Sequence, residues 1–260
     1  MTDTYHFQEI LPLGEARDLI SGKDFSKFKL QDLLKMRVGW EIASRVRAGE
    51  TIGLGSGTTA EAAIRAIGMR LAKKELADIK GVATSKKLGD LAENLGFRIL
   101  NLESVAKLNW GFDGADEVEK GRLRLIKGGG GAQTIERRLA LKCRDWVVIV
   151  DESKLVESLG KFPLAVEVVP EKLAAVEKFI REKYRPERVT VRDFTTDLGN
   201  QIIDVTMGAG RIESEWEQEW REIDGVVDTG LFVKERQPTE VLVCLGGGDI
   251  VRLTLPACFC

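Results

Sequence analysis

From residue 51 to residue 150, short apolar runs alternate with stretches whose apolar residues recur every three or four positions. The runs at 51–54, 79–83, 98–100, 110–113, 123–126 and 146–150 predict strands, and the periodic stretches at 59–74, 88–95 and 134–143 predict helices. A further helix precedes them, carried by Leu30, Leu33, Leu34, Val38, Ile42 and Val46. Strands separated by helices predict a mostly parallel sheet, because a parallel crossover needs a connection of helix length. Ligands of such sheets bind where the chain leaves the carboxyl ends of the strands. The loops that follow strands are therefore where chemistry is to be sought.

The rhythm changes after Pro163. Strands at 166–169, 188–192, 201–205 and 226–233, with helices at 172–183 and 213–222, give the order β-α-β-β-α-β. Two last strands, 239–245 and 250–255, flank Gly246-Gly247-Gly248-Asp249 and are expected to return to the first sheet. The fold class is α/β: a Rossmann-like, mostly parallel sheet with helices on both faces, plus a smaller ferredoxin-like α+β domain. The expected division is an N-terminal extension at 1–28, a Rossmann-like catalytic domain at 29–163 plus 234–260, and the small domain at 164–233.

Composition narrows the chemistry. With 43% hydrophobic and 31% charged residues, the chain can bury a core and is not disordered as a whole. A formal net charge of -2 gives no reason to expect a nucleic acid or an anionic membrane as partner. No apolar run approaches the roughly 20 residues that span a bilayer, and the first residues lack the pattern of a secretory signal. A cytoplasmic location follows as the expectation. Cys143, Cys244, Cys258 and Cys260 form no CxxC motif and read as reduced thiols. The single histidine, His6, leaves no room for a histidine triad or a histidine-rich metal site. Whatever reaction occurs must use carboxylates, lysines, hydroxyls and backbone, and no cofactor or metal is expected.

Four loops carry candidates. Gly53-Leu54-Gly55-Ser56-Gly57-Thr58-Thr59 follows a strand and opens a helix. Glycines admit close approach, a helix N-terminus offers free N–H groups, and Ser56, Thr58 and Thr59 add hydroxyls, so a phosphate suits it; a merely tight turn is the plainer reading. It is neither a Walker loop nor a dinucleotide fingerprint, since Thr58 stands where a third glycine would be. Asp113-Gly114-Ala115-Asp116-Glu117 reads as a solvated turn, or as acid/base groups and holders of sugar hydroxyls; a metal loop finds no further ligands. Lys127 precedes Gly128, Gly129, Gly130 and Gly131 and then a helix bearing Glu136. That is a flexible loop, or a wrap of backbone amides flanked by a cation and a base. Asp151-Glu152-Ser153-Lys154 reads as a capped helix start or as a lysine reaching an anion, and Lys35 as part of a solvated helix face.

Together these segments resemble one family, ribose-5-phosphate isomerase of the A type. The family's GxGTGST-like loop corresponds to GLGSGTT at 53–59, and its DGADE stands intact at 113–117. Its KGGGGA, with a glutamate nine residues after the lysine, corresponds to Lys127 through Glu136. Its D-x-S-K and LG-K-FPLPVEVxP correspond to 151–154 and to LGKFPLAVEVVP at 159–170. TDxGN at 196–200 and GVVxxGLF at 225–232 complete a match that runs in order from 33 to 255. The resemblance implies interconversion of ribose 5-phosphate and ribulose 5-phosphate through a cis-enediolate, without a cofactor. It implies Glu136 as base, Asp113 as the acid/base group assisting ring opening, and Lys127 as the stabiliser of enediolate charge. It implies substrate binding by Ser56, Gly57, Thr58, Thr59, Asp113, Gly114, Ala115, Asp116, Lys127, Gly128, Gly129, Gly130, Lys154 and Lys35. It also implies a homodimer or homotetramer.

This chain departs from the family pattern in places. Ser56 and Thr58 exchange threonine and serine but keep hydroxyls; Ile135 replaces an arginine beside the base and puts local ion pairing in doubt. Ala165 replaces a proline, Leu198 an asparagine, and Lys86-Lys87 an aromatic-containing segment that would border the cleft. Two rival functions remain on the sequence alone. A non-catalytic phosphosugar sensor would need no Glu136, and a related transferase or aminosugar-phosphate deaminase would need coenzyme A chemistry or an active-site histidine.

Overall fold

The computed structural model describes residues 4–5 and 29–255. Its elements begin with β1 (Thr4–Tyr5), α1 (Leu30–Arg45), β2 (Thr51–Leu54), α2 (Gly57–Ala72), β3 (Lys80–Ala83), α3 (Lys86–Asn94), β4 (Arg98–Ile99) and β5 (Leu108–Asp113). β6 (Glu117–Glu119), β7 (Leu125–Ile126), α4 (Gln133–Lys142), β8 (Cys143–Asp151) and β9 (Leu155–Val156) follow. Next come β10 (Leu164–Val168), α5 (Leu173–Tyr184), β11 (Arg188–Thr195), β12 (Gln201–Thr206) and α6 (Trp216–Glu219). The last are β13 (Val226–Thr229), β14 (Leu231–Phe232), β15 (Glu240–Cys244) and β16 (Ile250–Leu253).

One sheet has the order β1-β16-β15-β8-β5-β2-β3-β4. Neighbours from β15 to β4 are parallel, and β16 and β1 add an antiparallel edge. The chain fills one side of β2 with β3 and β4, then crosses to its other side with β5, β8 and β15. The crevice between β2 and β5 is thus the point where strand order reverses, the place such sheets bind ligands. Side chains alternate along β8: Trp146, Val148 and Val150 pack with Leu139 and Ala140 of α4, whereas Val147 and Ile149 pack with residues of α1, α2 and α3. Helices therefore cover both faces, as the near-continuous apolar β8 requires.

The second sheet, β11-β12-β10-β13, is antiparallel throughout. Read from β13, the strands come in the order fourth, first, third, second, which makes the small domain ferredoxin-like. Its core joins Val176, Ile180 and Tyr184 of α5 to Trp220 and to the inner residues of β10 and β12.

Several expectations change locally. The strand read at 226–233 is two strands, β13 and β14, in different sheets. Gly230 makes the break: its N–H donates to the Ala165 carbonyl, and its own carbonyl accepts from the Lys127 N–H. The partner of β14 is a third sheet, β14-β7-β6-β9, with strands of two or three residues. Segments so short show no period, so the sequence shows the β7 region as a strand, β14 only as the end of a longer one, and β6 and β9 not at all. The helix read at 213–222 contracts to the four residues of α6. In the N-terminal extension, Thr4–Tyr5 pairs with β16; the rest of 1–28, including His6, and Cys258 and Cys260 lie outside the described residues. Among the described residues, no helix is long and apolar enough to cross a membrane.

Candidate active site

The loops after β2 and β5 interlock first. Gly55 N–H donates to the Phe112 carbonyl, and a Cβ at Gly55 would stand 2.2 Å from Asp113 Oδ1. The bare backbone there leaves room for the Asp113 carboxylate, whose Oδ1 accepts from Ser56 N–H at 3.0 Å and Gly114 N–H at 2.7 Å. Ser56 is the residue before α2, yet its hydroxyl makes no cap. It donates instead to Glu136 Oε1 at 2.5 Å. The N–H groups of the first turn of α2 are left facing outward, as at an anion-binding helix start.

Glu136 arrives from α4. That helix lies close on the sheet because β2 offers it glycine: a Cβ at Gly53 would stand 3.2 Å from both Leu139 Cδ1 and Cys143 Sγ. One turn before Leu139, Glu136 therefore reaches the switch point. Lys127 arrives from the end of β7. Its Nζ lies 3.1 Å from Asp113 Oδ2 and 3.2 Å from Glu136 Oε2, and it donates to the Gly114 carbonyl. Asp113, Lys127 and Glu136 are 1%, 2% and 4% exposed. Among the described residues, Asp113 Oδ2 and Glu136 Oε2 have no partner of good hydrogen-bond geometry beyond these ion pairs.

Asp113 and Lys127, both out of water and beside Glu136, do not titrate as they would in solution. Burial, and then the charge of Glu136, push the pKa of Asp113 up to about 7, with Lys127 pulling the other way. Burial works to lower the pKa of Lys127, but Asp113 and Glu136 outweigh it and the net shift is upward. Burial likewise raises Asp116, against the hydrogen bond from Gly129 N–H at 2.7 Å. The cluster thus contains a permanent cation, a carboxyl able to hold a proton near neutrality, and a second carboxylate braced by a hydroxyl. That set can remove, hold and return protons and stabilise a nearby oxyanion.

A hollow of about 130 Å³ opens onto the cluster. Lys127 and Glu136 line it, as do Ser56, Gly57, Thr58, Thr59, Gly114, Ala115, Asp116, Gly128, Gly129 and Gly130. Lys35 and Lys154, read as surface residues when taken alone, face it too. Asp113 lies behind this wall, bonded to its members. The five-residue acidic segment is no solvated turn, because Glu117 is also buried and accepts N–H groups of the 160–162 loop. A larger hollow of about 300 Å³ adjoins the first through Ser56, Gly57, Thr58 and Gly130, but neither Lys127 nor Glu136 lines it. The charged cluster faces the smaller one.

Other residues of the site were not read from the sequence. Gln31 lines the hollow and donates to Asp151 Oδ2 at 3.3 Å; its place four residues before Lys35 on one helix face was the available signal. Arg137, next to Glu136, is buried and ion-paired to Glu217 at 2.7 Å and Asp228 at 2.9 Å, so ion pairing persists there without an arginine at 135. Glu167 accepts from Thr134, Thr196 and Asn200 and ties α4 to the 196–200 turn. Nothing in the sequence ties those three segments together. Among the described residues, no group of three or more His, Cys, Asp or Glu is placed to hold a metal.

Comparison with known proteins gives this arrangement a family. The sequence profile of ribose 5-phosphate isomerase A (phosphoriboisomerase A) matches residues 80–246. A relative from Thermomicrobium roseum, named ribose-5-phosphate isomerase A, is 41% identical over 84% of this chain and 92% of its own length. The structure of ribose 5-phosphate isomerase A from Methanocaldococcus jannaschii superposes with a TM-score of 0.78 at 39% identity, over 86% of this chain and 99% of that one. A D-ribose-5-phosphate isomerase in complex with phospho-erythronic acid superposes with a TM-score of 0.80 at 31% identity, over 86% and 98%. With the sheet, the switch-point cluster and these likenesses in agreement, the chain belongs to the ribose 5-phosphate isomerase A family.

Proposed function

We propose that the chain interconverts D-ribose 5-phosphate and D-ribulose 5-phosphate through a cis-enediolate, with Glu136 as base. The observation that carries this reading is the Lys127 ammonium placed between Asp113 and Glu136 at 3.1 and 3.2 Å. In the open-chain aldose, Glu136 takes the C2 proton, and the electron pair moves through C1 onto O1. Asp113 and Lys127 accommodate the charge on the oxygens as the hydroxyl proton passes from O2 to O1. Glu136 then returns its proton to C1, leaving the carbonyl at C2. Asp113, the carboxyl with the raised pKa, is suited to deliver a proton to the ring oxygen when the furanose opens.

The rest of the hollow supports the same substrate. The open first turn of α2, flanked by Lys35 and Lys154, suits a phosphate. Asp116, fastened by Gly129 N–H, suits a sugar hydroxyl. Phospho-erythronic acid in the related isomerase is a ligand of the same kind, a phosphate joined to a short hydroxylated chain. The reading extends to a place in the non-oxidative pentose phosphate branch, a cytoplasmic location and a homodimer or homotetramer.

The test is ribulose 5-phosphate formation from ribose 5-phosphate with chelator present, wild type beside Glu136→Gln. The expected result is turnover by the wild type and a loss of about 10²–10⁴-fold in the variant. A wild type that binds the phosphosugar without turning it over would favour a sensor. Equal turnover by both would remove Glu136 as base.

A further inference from the structure

We propose that Arg192, on the small domain, is a positioning residue for the glycine loop of the active site. This rests on the function proposed above. Arg192 Nη1 donates to the Gly128 carbonyl at 2.9 Å and the Gly129 carbonyl at 3.2 Å. Its other face is gripped by Asp204, which accepts from Nε and from Nη2, each at 2.7 Å. The fork leaves the guanidinium one orientation, and a point charge such as an ammonium could not satisfy both sides at once.

The strand is shaped to deliver that arginine. β11 pairs with β12 through Val191 opposite Ile203 and then through Thr195 opposite Gln201. Three residues, 192 to 194, therefore stand against the single residue 202. A bulge of this kind re-aims side chains beside functional sites. Here it turns two of them onto the loop: Arg192 reaches the carbonyls, and the Phe194 ring lies where a Cβ at Gly131 would be, 2.4 Å from its Cζ.

The consequence follows from peptide geometry. Among the described residues no peptide bond is cis, so in each planar unit the N–H points opposite to the carbonyl of the preceding residue. Holding the carbonyls of Gly128 and Gly129 toward Arg192 turns the N–H groups of Gly129 and Gly130 the other way. The first meets Asp116 at 2.7 Å. The second takes no acceptor among the described residues, and Gly130 borders the hollow. Arg192 touches no substrate atom in this scheme. It keeps Asp116 in place and presents the Gly130 N–H to the phosphosugar.

The experiment compares wild type, Arg192→Ala, Arg192→Lys and Asp204→Asn. It measures kcat and KM for isomerisation, binding of phospho-erythronic acid, thermal unfolding, and hydrogen exchange of the amides at 128–131. Arg192→Ala is expected to stay folded, to exchange faster in that segment, and to lose about a hundredfold in kcat/KM. Its acid limb should shift to higher pH, because an Asp116 released from Gly129 N–H ionises later. Arg192→Lys should fall between, about tenfold down. Wild-type exchange at 128–131, or wild-type kcat/KM, in a folded Arg192→Ala overturns the proposal. Should Arg192→Ala not fold, Asp204→Asn decides: faster exchange with about tenfold lower kcat/KM supports it, and wild-type values of both overturn it. A wild type without isomerase activity would sink the function and not this inference, which exchange and phospho-erythronic acid affinity then decide by the same comparison.

Discussion

Asp113 is a carboxyl that folding makes harder to ionise. Its pKa of about 7 in the fold compares with 3.8 for an ordinary aspartate, because burial and Glu136 outweigh Lys127. Between those values the folded chain keeps a proton that the unfolded chain has released. Stability contributed by this group therefore falls as pH rises through that window, and is level above about 7. Asp113→Asn removes the titration. Its unfolding free energy, from denaturant melts across the window, is expected to decline less steeply with pH than that of the wild type. Identical slopes would mean that Asp113 is already ionised in the acid half of the window. Isomerisation by the variant should fall, since an amide cannot pass a proton to the ring oxygen.

At the scale of elements, the parts that read clearly from sequence are those whose physics is local. The β2 loop announces itself because a strand, a glycine loop and a helix follow one another within a few residues, and the β5 loop because three acids within five residues follow a strand. Lys127 and Glu136 announce themselves because four successive glycines between an apolar strand and a helix are costly without a ligand to wrap. Nothing local marks Arg192, whose role depends on a bulge in another sheet, or Glu167, whose three partners come from α4 and the 196–200 turn. The β14-β7-β6-β9 sheet was hidden for a different reason: its strands, two or three residues long, are too short to repeat an alternation. Gly230, where β13 passes into β14, carries the strongest consequence of that hidden sheet. A Cβ there would stand 2.1 Å from the Lys127 carbonyl oxygen, so backbone, not a flexible side-chain tip, has to move. Gly230→Ala is expected to destabilise by about 1–3 kcal/mol and to lower kcat by displacing Lys127. Thermal melts and steady-state rates check the two effects separately. Wild-type kcat in the variant would show that the Lys127 backbone is not positioned through this contact.

At the scale of the whole molecule, the two large sheets are coupled beside the proposed catalytic residues. Arg137 follows Glu136 on α4, which covers the parallel sheet, and its partners belong to the other side. It pairs with Asp228 on β13 and Glu217 in α6, donates to the carbonyls of Thr229 and Leu231, and lies 4.1 Å from the Phe232 ring centre. Such a buried network is weak evidence of net stabilisation, since each ion lost its hydration on folding. Removing one partner is another matter, because the remaining charges are then buried alone. Arg137→Met would leave Asp228 and Glu217, 4% and 2% exposed, without their counter-charge. The expected cost is about 3–5 kcal/mol, a fall in Tm of roughly ten degrees for a chain of this size. Burial already raises the pKa of Asp228 against Arg137. In the variant it should rise further, so the loss should be smaller at acid pH, where Asp228 can take up a proton. Adding Asp228→Asn should recover part of the stability by removing a stranded charge. Calorimetry of the wild type, the single and the double variant tests the coupling. One transition is expected in the wild type, and a separate earlier one for the small domain once Arg137 is gone. A single variant that melts with the wild type would mean that apolar contact and the other hydrogen bonds between the two sides, such as Thr134 to Glu167 and Arg192 to the Gly128 carbonyl, hold them together, with Arg137 contributing nothing to the assembly of the site.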